Sequence, residues 1–127
     1  MSHSTAFISF RMEDIWARHA LLAHASDSSS AVQFVDYSVH DLFDTSWKDQ
    51  CKSRIARTKG TIVLIGRNTY LSEAVAWEIK ETFDQRHHIL GVQIDDRVTH
   101  IVPKNLPAQN VIRWDIIQIF SRLSTWV

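Results

Sequence analysis

The chain has 127 residues, 45% of them hydrophobic, which suits one domain with a real core and is too short for two ordinary ones. Fourteen basic and fourteen acidic side chains cancel, so bulk electrostatics give no footprint for nucleic acid. A single cysteine, Cys51, excludes an internal disulfide, and the opening MSHSTAFISF lacks the charged and long apolar regions of a secretion signal or membrane span; the expectation is a cytoplasmic protein with no membrane attachment.

In chain order, Ala6 to Phe10 is short, apolar and bounded by polar residues, the pattern of a buried strand. Glu13 to about His24 reads as a helix with acidic residues in its first turn and Ile15, Trp16, Leu22 and Ala23 on its apolar face. Serines from Ser26 to Ser30 connect it to a second strand, Val32 to Asp36. The polar loop Tyr37 to Asp44 follows. Asp44 or Thr45 then caps a helix running to about Thr58, where Trp47, Cys51 and Ile55 recur every four residues as a core-facing stripe. On that stripe Cys51 reads as a small buried hydrophobe; no neighbouring histidine activates it.

Gly60 reads as the stop of that helix, and Thr61 to Ile65 as the central strand. Beyond Gly66 a polar loop leads to Ser72, the expected N-cap of a third helix whose buried side is marked by Val75, Ile79 and Phe83. Ile89 to Ile94 is a fourth strand; residues 95–110, with Pro103 and Pro107, form a loop. Val111-Ile112 is a short fifth strand, and Ile116, Phe120, Leu123 and Val127 repeat at helical spacing to the chain end. Alternating strands and helices predict an α/β fold: a flavodoxin-like, doubly wound parallel sheet of about five strands with helices on both faces.

In such a sheet the loops after strands one and three meet at the switch point, beyond the carboxyl ends of the strands. Phe10-Arg11, Asp36-Tyr37, Gly66-Arg67-Asn68 and the helix from Ser72 would converge there, with Glu78 facing the cleft. Aromatic faces, cations and a carboxylate make a plausible nucleotide pocket. Other chemistries fail on the residues. Three glycines allow neither GxGxxG nor GxxxxGK[ST], and the central strand ends without a phosphoacceptor aspartate. The seven histidines form no HxxxH or HExxH pattern, so no metal site is expected.

The stretches FISFRMED, FVDYSV, the W-x-x-x-C-K-x-x-I helix, IVLIGRNTY and Arg113-Trp114-Asp115, together with Ser72-Glu73-Ala74-Val75-Ala76-Trp77-Glu78 against the pattern S-x-W-V-x-x-E, resemble bacterial TIR-like domains, above all the sensors of Thoeris anti-phage systems. The likeness covers nearly the whole chain, as one TIR-like domain over residues 1–127. It implies cleavage of NAD, as substrate and with no bound cofactor, to release nicotinamide. A cyclic ADP-ribose-type signal would then activate a separate effector chain, and self-association is commonly needed. It implies Glu78 as the catalytic carboxylate, with Phe10, Asp36 and Tyr37 in the substrate pocket; Arg11, Asn68 and Ser72 are expected beside them from the topology of the loops. Ala74 departs from the pattern, standing where tryptophan is often found. Two other readings stay open: a non-catalytic module that assembles with a partner, and a pocket that binds a nucleotide without turning it over. On the residues alone, Glu78 reads first as a solvated carboxylate beside Lys80 and Thr82 on a helix surface.

Overall fold

Six consecutive buried residues, Gly60–Ile65, form the middle strand of a parallel sheet, as an apolar run covered on both faces must. The computed structural model describes residues 4–27, 32–35 and 46–126. In these the elements are β1 (Ser4–Ser9), a 3-10 turn (Met12–Asp14), α1 (Ile15–Asp27), β2 (Val32–Val35), α2 (Trp47–Ala56), β3 (Gly60–Ile65), a 3-10 turn (Thr69–Leu71), α3 (Glu73–Asp84), β4 (His88–Gln93), a 3-10 turn (Ala108–Asn110), β5 (Val111–Arg113) and α4 (Ile116–Leu123). The sheet order is β2-β1-β3-β4-β5, every pair parallel. This is the flavodoxin-like order, with the switch point between β1 and β3.

Strand alternation divides the core. Ala6, Ile8, Ile62, Leu64, Leu90 and Val92 meet Ala17 and Leu21 of α1 and Ile119, Phe120 and Leu123 of α4. On the other face Val63, Ile65 and Ile89 pack with Val75 and Ile79 of α3, while Phe7 packs with Cys51 and Ile55 of α2.

Several boundaries differ from the sequence reading. The first helix starts at Ile15, after a 3-10 turn, and buries Ala17 and Leu21; Trp16, 53% exposed, and Ala23 point outward. Helix α2 stops at Ala56, and Gly60 is the first residue of β3. A β-carbon there would lie 2.7 Å from the Trp126 ring and 2.6 Å from the His88 carbonyl, so the glycine serves close packing. Phe83 lies on the outer side of α3, since Thr82 completes the inward stripe Val75, Glu78, Ile79. The last helix ends at Leu123, and Val127 lies outside the described residues.

Candidate functional site

Ser9 shares the β1 face of Phe7, one pleat further on, so its hydroxyl points toward α3. In α3, positions 75, 78, 79 and 82 fall on one side of the helix, which turns Glu78 inward with the apolar residues. The two meet: Ser9 Oγ donates to Glu78 Oε1 at 2.6 Å, and both side chains have no solvent exposure. That distance lies in the range of charge-assisted O–H···O bonds. Cys51 Sγ donates to Glu78 Oε2 at 3.5 Å. Burial first, and then the charge and hydrogen bond of Glu78, push the Cys51 thiol up to about 12, so it serves as a donor and not a nucleophile.

Glu78 is therefore not a surface carboxylate paired with its helix neighbours. Lys80 reaches Asp84 at 3.7 Å, and the Thr82 hydroxyl bonds the backbone carbonyl of Glu78 at 2.7 Å. Thr82 also shares a hydrogen bond of 2.8 Å with Thr61 of β3, which pins α3 to the sheet. Trp47 and Trp77 lie edge to face, ring centres 5.4 Å apart, and tie α2 to α3 against the Phe7–Cys51–Ile55 cluster.

At the switch point the loops after β1 and β3 do meet. Arg11 Nε donates to Glu13 Oε1 at 2.8 Å, and Asn68 Nδ2 donates to the same carboxylate at 3.2 and 3.3 Å. Arg11 and Asn68 thus converge through Glu13, while Arg67 is exposed. Beneath them Asp14 is 7% exposed and lies so close over Gly66 that a β-carbon there would sit 2.3 Å from Asp14 Oδ2. That oxygen has no hydrogen-bond partner among the described residues. Burial, reinforced by Glu13, raises the Asp14 carboxyl above its ordinary range, against the pull of His100, Arg11 and the Thr69 hydroxyl.

The remaining expected residues fall in different places. Ser72 is the N-cap of α3, its side chain accepting from the Val75 amide at 3.1 Å. Phe10, 4% exposed, belongs to the core between the sheet and α1 and α4, the face opposite Glu78. Asp36 and Tyr37 lie outside the described residues. Sequence reasoning passed over Ser9 and the thiol's role as a donor. The available signal for Ser9 was its period-two relation to Phe7, on the face that receives the helix carrying Glu78. No group of three or more histidine, cysteine or acidic side chains placed to hold a metal occurs among the described residues. Nor is any described helix long and apolar enough to cross a membrane.

The model of the family described as "Thoeris protein ThsB, TIR-like domain" matches residues 7–99. Among solved structures, the chain is similar to the TIR domain of the Toll-related receptor TRR-2 from the lower metazoan Hydra magnipapillata. The two share 16% identity and a TM-score of 0.69 over 92% of this chain and 91% of that one. No curated protein matches.

Proposed function

Because the chain belongs to the TIR-like domain family of the Thoeris protein ThsB, we propose that it is a cytoplasmic NAD-cleaving enzyme of anti-phage defence with Glu78 as its catalytic carboxylate. The observation that carries this reading is a carboxylate held without solvent exposure by Ser9 and Cys51 on the helix that follows the central strand. Burying a carboxylate costs free energy that its hydrogen bonds must offset, a burden expected of working groups.

The bond broken joins ribose C1′ to the pyridinium nitrogen. Its electron pair stays with nitrogen, so nicotinamide departs neutral and needs no acid. Positive charge gathers on the ribose ring as it does in glycoside hydrolysis, and a fixed carboxylate stabilises that state more than the ground state. The donors on Glu78 hold it in one orientation, which spares reorganisation when charge develops. Arg11 and Asn68 would face the phosphates or ribose at the switch point. Attack by an adenine nitrogen in place of water would give a cyclic ADP-ribose-type signal for a separate effector chain, and self-association would complete the working form.

A second reading is favoured by one specific observation. Glu78 is wholly buried, so substrate reaches it only if the packing around α2 and α3 opens. A chain that stays closed would act as a non-catalytic module, assembling with a partner or holding a nucleotide without turnover.

Incubating the protein with NAD and resolving the products by liquid chromatography and mass spectrometry separates the readings. Nicotinamide release that falls at least about a hundredfold in Glu78→Gln, with the circular dichroism spectrum retained, is the expected result. Equal release from both proteins would overturn the assignment of Glu78. Absence of turnover in concentrated protein and in phage-infected lysate would favour the module.

A further inference from the structure

The sheet face away from Glu78 carries a second cleft at the carboxyl ends of β4 and β5. Trp16, Ile94, Asp95, Asp96 and Trp114 line it, and its volume is about 360 Å³. The two indoles stand 6.1 Å apart, centre to centre, and are inclined at 44° to one another. They form an open angle rather than a closed stack.

Both walls are fixed by the fold. The Trp114 amide donates to the Gln93 carbonyl at 2.9 Å and the Ile94 amide to the Ile65 carbonyl at 3.2 Å, so the base of the cleft is set by sheet hydrogen bonds. Trp16 sits in the first turn of α1, beside Ile15, which packs against the core. Its indole is nonetheless 53% exposed, an unusual state for the largest apolar side chain. The acidic side is set as well: Asp95 Oδ1 accepts the Arg97 amide at 2.9 Å, which orients one carboxylate, and Asp96 follows it, exposed.

Indole faces carry negative electrostatic potential and attract cations within about 6 Å of the ring centre, most strongly when the cation is alkylated and weakly hydrated. Two such faces beside two carboxylates form a pocket whose polar and apolar parts favour the same ligand. We propose that this cleft is a binding site for a small organic cation of the alkylated ammonium class. The quaternary head lies against Trp16 and Trp114, and Asp95 and Asp96 balance its charge. The site is independent of Glu78 and of NAD turnover.

The probe is choline, with its uncharged isostere 3,3-dimethylbutan-1-ol as the control for shape. The five tryptophans give five indole N–H signals in a nitrogen-15 correlation spectrum, and Trp16→Phe and Trp114→Phe assign the two that matter. Choline should shift those two saturably. The alcohol should bind at least about tenfold more weakly, and added sodium chloride should weaken choline further. Asp95→Asn combined with Asp96→Asn should reduce the preference for the cation to what the indoles alone supply, while Asn at position 95 still accepts the Arg97 amide and a dispersed spectrum reports the intact fold. Choline leaving both signals unmoved, or the alcohol moving them at the same midpoint, would overturn the proposal.

Discussion

At the scale of single residues, the pair Cys51 and Glu78 shows how one buried group sets the chemistry of its neighbour. A thiol that is hydrogen-bonded to a carboxylate and cut off from water stays protonated well past the pH at which a free cysteine ionises. In the folded protein at pH 8 its alkylation by iodoacetamide should be slower than in the urea-unfolded chain by on the order of a thousandfold. Glu78→Gln removes the negative charge beside it and should speed the reaction. Equal rates in folded and unfolded protein would contradict the burial. The sign for stability follows: with the folded pKa raised, the contribution is whole below the ordinary value of 9.0 and fades as pH climbs toward about 12. Cys51 was legible as a buried residue from its stripe with Trp47 and Ile55. Its hydrogen bond was not, because the contact spans 27 residues and no local period encodes it.

At the scale of elements, the junction between the loops after β1 and β3 rests on an absent side chain. Gly66 leaves the space that the Asp14 carboxyl fills. Asp14 favours its protonated form in the folded state, so the fold is most stable with respect to this group below the ordinary value of 3.8 and loses that advantage as pH rises. Asp14→Asn should therefore raise the melting temperature at pH 7 by roughly 2–6 °C, and the gain should shrink toward zero below pH 4. A melting temperature that falls at pH 7 would show that the charge is compensated. Among the described residues, sequence periodicity located the five strands and four α-helices, yet misplaced faces where two positions competed. In α3 both Thr82 and Phe83 suit an inward stripe from Ile79. The smaller residue won because its hydroxyl meets Thr61 and the Glu78 carbonyl. In α1 tight approach to the sheet selected Ala17 and left Trp16 outside. Among the expected site residues, Arg11 and Asn68 were legible as neighbours because topology alone brings their loops together.

At the scale of the whole molecule, strand order was readable because right-handed crossovers and short connections leave few ways to wind alternating strands and helices. The seat of Trp126 was not readable from local period: it is 7% exposed, stacked on His88 with ring centres 5.6 Å apart and inclined by 10°, and seated over Gly60. Trp126→Ala should cost about 3–5 kcal/mol by urea denaturation; a loss below about 1 kcal/mol would show that the indole adds little. The backbone carbonyl of the same residue accepts from the Ser4 hydroxyl at 2.8 Å, across 122 positions of sequence. That bond closes almost the entire chain into a ring, and its closing entropy exceeds that of any shorter loop in the fold. Loop-closure entropy therefore predicts that it forms late in refolding, after the local βα units have paired. The penalty of Trp126→Ala should accordingly appear in stopped-flow urea kinetics as faster unfolding, with the folding rate nearly unchanged.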